Sequence, residues 1–502
     1  MMMPTTLHLR TRLAAAFMVL NLAWLPAWAL PRGDHELKID GEVVTLRANR
    51  APLRDILADF VRAGIAVRAD PDIDSRVSGS VRQMPIDRAL EEILSPYGYA
   101  LIWSVVPGPL GDLERLEEIQ VFRRDGPRQL EPFQPETNFR ITRGPLPGSP
   151  EFVADEILIT VAPGTDINAF RAWLSQIGGS VIGSVPELGI YRIRLPPNTN
   201  VLALIDQLAG NPIISRAEPN YAYRLPNGQP ETVAASGGER SGASRATEGV
   251  PPVAVLDSGL RALSELDGLV VGRFDAIQPE RRLDDRAGHG TQMALIASGA
   301  IPPGGVAGDN VGVPIVAIRA FDDNGYTSSY TMMRAIQQAA TEGARVVNMS
   351  WGTETPSAFL ESAMRQAQAR GLLVVASAGN EPNGRPVYPA AYPGVISVSA
   401  LQSDGTPWPR SNHGDTVTVA APGTARFPIG HEGPPGSYAG TSIASAYVSR
   451  TLALYLAQNP KADARRARQA LLSAASPPPT GAVRYGSGSV DDAAMNRLLR
   501  QP

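Results

Sequence analysis

From Val250 to the C-terminus, short and mostly apolar runs alternate with stretches of helical periodicity. The runs are Val253 to Leu256, Ile315 to Ile318, Val346 to Met349, Leu372 to Ala376 and Val395 to Val398. Each has strand length and lacks the polar alternation of a strand with one wet face. Between them, Tyr330 to Glu342 and Ser357 to Arg370 repeat apolar residues at spacings of three and four, as amphipathic helices do. Strands buried on both faces and separated by helices predict an α/β domain built on a doubly wound, mostly parallel sheet.

Such a sheet carries its chemistry outside the C-terminal ends of its strands. Asp257 stands at one such end, directly after the apolar run and before Ser258-Gly259. His289 lies between two glycines at the start of a helical run, Gln292 to Ser298; of the five histidines only this one is so framed. Ser442 follows Gly440-Thr441 and opens an apolar helical run, where a helix N-terminus offers positive potential to an oxyanion. A serine hydroxyl needs an imidazole to take its proton and a carboxylate to orient that imidazole. Asp, His and Ser in this chain order predict a serine hydrolase. Asn380, in the strand-end turn Ser377-Ala378-Gly379-Asn380, offers an amide that can donate to a tetrahedral oxyanion.

Together with Val346 to Gly352, Tyr388 to Pro393, Ser411 to Gly414, Val419 to Gly423 and Gly486 to Asp491, these islands resemble the subtilisin-like serine proteases. The resemblance covers Glu151 to the C-terminus. It implies that Asp257 orients, His289 acts as base and then acid, Ser442 attacks, and Asn380 with the Ser442 N–H stabilises the oxyanion. It further implies that Ser350, Trp351 and Gly352 bind an extended peptide and wall the specificity pocket. Ile443 departs from the usual Met of the family, Ala446-Tyr447 from its Pro-His, and Trp351 from a more common aliphatic residue. The calcium loop of many relatives has no match at Ala300 to Gly305, so no cofactor is assigned. Asp284-Asp285 and Asp322-Asp323-Asn324 carry oxygen donors, but paired surface carboxylates ordinarily only solvate a loop.

Two small α+β domains are expected upstream. Residues 36–122 contain two similar halves, each a strand, a proline-opened helix (Pro52, Pro85) and another strand. Through Ala51 to Leu57, Asp70-Pro71-Asp72 and Met84-Pro85-Ile86, this domain resembles the short N-terminal domain of secretins and TonB-dependent transducers. That likeness implies a periplasmic protein partner; the alternative is a spacer or folding aid. A Pro-rich linker occupies residues 123–150. Residues 151–225 read as βαββαβ and resemble the inhibitor-type propeptide of subtilases, through Phe152 to Leu158 and Ala217 to Tyr221. Residues 226–249, rich in Gly, Ser, Ala and Thr, form an exposed linker suited to nicking, and 250–502 make up the peptidase domain.

The N-terminus carries Arg10 and Arg12, an apolar stretch from Leu13 to Leu25, and Ala27-Trp28-Ala29, the pattern of a secretory signal over residues 1–29. The stretch is short beside the roughly 20 residues of a membrane span; an uncleaved anchor is the alternative. No second candidate span follows. A net charge of −3 gives no electrostatic case for nucleic acid, and the absence of cysteine excludes a thiol nucleophile and a cysteine-ligated metal. The expected protein is a periplasmic or secreted endopeptidase made as a zymogen, acting on polypeptides. Two readings compete: a partner-binding protein with the protease fold as scaffold, and a peptide macrocyclase using the same triad.

Overall fold

A computed structural model describes residues 35–501, apart from 41–42, 71–72, 74, 96, 108–110, 125–129, 133–138, 147, 227–242, 280–281, 432 and 478–484. The expected signal segment and most of the linker at 226–249 therefore lie outside the described residues, as do parts of the linker at 123–150. The chain divides into two compact units: residues 1–142 with 153–220, and residues 143–152 with 221–502.

In the first unit, His35–Asp40, Val43–Pro52 and Arg76–Pro85 make an antiparallel three-stranded sheet. Gly98–Val106, Leu113–Phe122, Ala66–Ala69 and Glu131–Pro132 make a mixed four-stranded one. Both expected helices form, Leu53–Arg62 and Ile86–Ile93, each starting immediately after its proline. A proline there is pre-set for helical φ and gives up an N–H that has no intrahelical partner. Their apolar faces, Leu53, Ile56, Leu57 and Phe60, and Ile86, Leu90 and Ile93, are buried in one core.

Residues 151–224 follow the order βαββαβ. Strands Glu151–Val161, Ser180–Val185, Ile190–Arg194 and Ile214–Arg224 frame helices Ile167–Gln176 and Val201–Leu208. The first helix is capped by Asp166, which accepts from the N–H groups of Asn168 and Ala169, and the second by Asn200. Glu156 is fully buried here and accepts from Arg192, Arg194 and Asn220.

The second unit is built on a seven-stranded, all-parallel sheet in the order Val270–Asp275, Ile315–Arg319, Val253–Asp257, Val346–Met349, Leu373–Ser377, Ile396–Leu401, Val419–Pro422. All five apolar runs of the sequence are strands of it. Val270–Asp275 joins as an edge strand, alternating exposed and half-buried residues for most of its length, and Val419–Pro422 joins at the other side. Helices His289–Ser298 and Thr441–Gln458 are buried along nearly their whole lengths, packed with the central strands in one core. Helix Ala358–Ala369 buries one face, as its periodicity predicts, whereas Ser329–Thr341 is buried all round its first turn and on one side beyond it. Among the described residues no helix is long and apolar enough to cross a membrane.

Candidate active site

Strand Val253–Asp257 ends with Asp257, whose side chain is buried. Its Oδ1 accepts from the Ser258 N–H at 2.8 Å and bonds His289 Nδ1 at 2.7 Å. His289 is the first residue of its helix. A glycine on each side lets neighbouring backbone crowd against it. Gly288 has a φ of 86°, and a Cβ there would stand 2.1 Å from the Gly430 carbonyl oxygen. At Gly290 a Cβ would stand 2.5 Å from the carbonyl oxygen of Gly259. Gly290 thus lets the helix start pack directly on the strand end, and Gly288 lets it pack on the Gly430 carbonyl; only hydrogen in place of a side chain permits either approach.

Ser442 is the second residue of helix Thr441–Gln458, and its hydroxyl donates to the Ser350 carbonyl at 3.0 Å. Ser350 is tied back in turn: its hydroxyl donates to the Ser442 carbonyl (3.2 Å), lies 3.1 Å from the Ser445 hydroxyl, and accepts from the Asn348 amide (2.8 Å). Asn380 Oδ1 accepts from both the N–H (3.1 Å) and the hydroxyl (2.8 Å) of Thr441. Those two donors fix the amide's orientation and leave its nitrogen as the donating end, beside Gly440. The structure therefore joins Asp257 to His289, and Asn380 and Ser350 to the start of the serine helix. Such an arrangement can move a proton off Ser442 and present donors to an oxyanion.

Trp351 is fully buried, stacked at 5.1 Å on Tyr223 and edge-on to Phe321 at 6.0 Å. Gly352 leaves room for Val387, whose Cγ1 would meet a Cβ there at 2.3 Å. Residues 222–224 pair antiparallel with Tyr326–Ser328, and the Leu225 N–H donates to the Gly325 carbonyl. The Tyr223 hydroxyl lies 2.7 Å from that of Ser329. Trp351 is thus less an open pocket wall than the floor beneath an aromatic ring already in place.

Two residues with no signal in the sequence stand at the centre. His431, from a loop, packs its ring 4.6 Å from that of His289 at an interplanar angle of 54°. It is 4% exposed, and its Nε2 is buried without a hydrogen-bond partner. Burial, and then the neighbouring His289, push its pKa down to about 2. Asp285 is the other. Expected as one of a pair of surface carboxylates, it is fully buried and hydrogen-bonded on both oxygens, while Asp284 is exposed. Asp322 accepts backbone N–H groups of its own turn, and Asp323 pairs with Arg319. Among the described residues no group of three or more His, Asp or Glu is placed to hold a metal.

A model of the subtilase family matches residues 251–498, and one of a fervidolysin N-terminal prodomain matches residues 145–220. The chain is 32% identical over 273 residues to a thermophilic serine proteinase of Bacillus sp. (strain AK1), covering 52% of this chain and 67% of that protein. It is 32% identical over 217 residues to thermitase of Thermoactinomyces vulgaris, covering 43% and 78% respectively. Its fold is like that of fervidolysin from Fervidobacterium pennivorans, a keratinolytic enzyme related to subtilisin, with a TM-score of 0.58 at 24% identity over 73% of this chain and 64% of that one.

Proposed function

We propose, for a chain that belongs to the subtilase family of serine proteases, that Asp257, His289 and Ser442 form the triad that cleaves its polypeptide substrates. The observation that carries this is the buried 2.7 Å bond between Asp257 and His289 Nδ1. A carboxylate on Nδ1 fixes the tautomer in which the other ring nitrogen is the base. The Ser442 hydroxyl turns from the Ser350 carbonyl to that nitrogen, gives up its proton and attacks the scissile carbonyl. The imidazolium so formed is stabilised by Asp257 and then protonates the leaving amine. The Asn380 amide, held by Thr441, and the Ser442 N–H stabilise the oxyanion between those steps.

The protein is made latent and exported. Residues 222–225 lie along Tyr326–Ser328 as an added strand, the way an extended peptide binds a sheet edge. Tyr223 caps Trp351 as a substrate side chain would. The linker that follows is the place for the cut that begins release, and the signal pattern at residues 1–29 supports export.

Replacing Ser442 by Ala in the full chain tests the triad. Peptide hydrolysis is expected to fall by about 10⁶-fold, the scale for losing a triad nucleophile, and a fluorophosphonate is expected not to label the protein. Unchanged casein cleavage, or labelling at another serine, rejects this assignment.

A further inference from the structure

Asp285 is the buried acid that the mechanism does not use. Its Oδ1 accepts from the Ser258 hydroxyl and the Gly288 N–H, each at 2.8 Å. Its Oδ2 accepts from the N–H (2.8 Å) and hydroxyl (2.6 Å) of Thr291. The Ser258 hydroxyl in turn accepts from the Gly290 N–H at 2.9 Å. His289 is therefore flanked on both sides by backbone N–H groups tied, directly or through one serine, to this carboxylate. Ser258 is also the residue after Asp257, to which its own N–H donates. One side chain thus bonds both the end of the aspartate strand and the first turn of the histidine helix. The Arg261 side chain closes the loop by donating to the Asp285 carbonyl at 2.6 Å.

The chemistry of the donors says why the residue is an acid. Gly288 and Thr291 each offer a backbone N–H, which cannot become an acceptor, one to each oxygen. An amide in the same place would turn its NH₂ toward one of those N–H groups whichever way it flipped. Two donors would then face each other in a buried site, where an unmet donor is costly. Only a group that accepts on both sides fits.

We infer that Asp285 is a positioning residue, which sets the distance and angle of the His289 imidazole relative to Asp257 and so to Ser442. The inference rests on the triad reading above, since it assigns no contact with substrate. It acts on kcat alone, because the peptide-binding segments Tyr326–Ser328 and Ser350–Gly352 do not bond to it. Displacing a catalytic group by a fraction of an ångström to an ångström costs rate steeply.

The test is steady-state hydrolysis of a chromogenic peptide by enzyme matured from the full chain, with active sites counted by titration. For Asp285→Asn, kcat is expected to fall about tenfold to a hundredfold with KM within about twofold of wild type. Ser258→Ala and Thr291→Val each remove one hydroxyl donor and leave the backbone donors, and are expected to lower kcat about threefold to tenfold, again at constant KM. These two decide the matter if Asp285→Asn does not mature. An Asp285→Asn enzyme with wild-type kcat overturns the inference, as does a parallel loss through KM, or neutrality of both hydroxyl variants. Ser442→Ala and His289→Ala run alongside separate the two failures. If they retain activity, the triad reading is at fault; if they are inactive while Asp285→Asn is normal, only the role of Asp285 is.

Discussion

Each unit of the molecule buries a carboxylate completely, and the two are treated in opposite ways. Glu156, in the prodomain-like region, is surrounded by Arg192, Arg194 and the Asn220 amide, which use both of its oxygens. Burial alone would raise its pKa, but the two guanidinium groups and the hydrogen bonds outweigh that and hold it below the usual carboxylate range. Asp257, in the peptidase unit, has a partner for one oxygen only; its Oδ2 is buried and unbonded. On the triad proposed above, its ion partner is the imidazolium that His289 would become during turnover. A buried charge with every lone pair met is an element of the fold. One left incomplete holds its attraction in reserve for a charge that appears later.

The contrast can be broken at either end. Asp257→Asn is the largest expected effect: with an amide in place of the carboxylate the histidine takes the wrong tautomer, and kcat should fall by about 10⁴-fold. Its urea midpoint should stay close to that of wild type. A large fall in stability instead would put Asp257 in the same class as Glu156. Glu156→Ala should do the reverse. Two guanidinium groups lose their counter-charge, at about 3 kcal/mol, the lower end of such penalties because the Arg192 and Arg194 side chains keep 19% and 24% of their exposure. Urea unfolding of the full chain in the Ser442→Ala background reads this, and an unchanged midpoint contradicts it.

The smallest effect belongs to His431, which is buried neutral. Its pKa falls from 6.5 to about 2 in the folded protein, so between those values the unfolded chain binds the extra proton. Its contribution is therefore fully present above pH 6.5 and is lost as the pH drops toward 2. The slope is at most about 1.4 kcal/mol per pH unit from this one group. His431→Phe keeps a ring against His289 and removes the titration, so its loss of stability between pH 7 and pH 4 should be shallower. Parallel curves for the two proteins would remove His431 from the acid response.

How far the sequence disclosed all this depends on the range of the interaction concerned. The five central strands are legible because fully buried strands leave short, dense apolar runs. Pro52 and Pro85 mark helix starts because a proline acts on its own backbone. Val270–Asp275 is not legible: as an edge strand it carries Gly272 and Arg273 amid half-exposed positions, and its pattern matches a loop's. Asp257, His289, Asn380 and Ser442 are legible through the glycines that crowd them. Asp285 sits beside Asp284 and looks the same in sequence, yet one is buried and the other exposed. What separates them is contact with Ser258 and Thr291, and tertiary contact leaves no local trace. His431 lies in a loop of glycines and prolines for the same reason.

Strand Val253–Asp257 is the first of its sheet to be synthesised, yet both its neighbours, Ile315–Arg319 and Val346–Met349, come later in the chain. The serine helix comes later still. A sheet of such distant pairings folds slowly, because the chain entropy of closing long loops is spent before the contacts form. A nascent fragment that ends before this helix lacks Ser442. On the proposed triad, cutting ability therefore does not grow by degrees as the chain lengthens: it is absent until the serine helix has been made, and the aspartate made first is the one that waits longest.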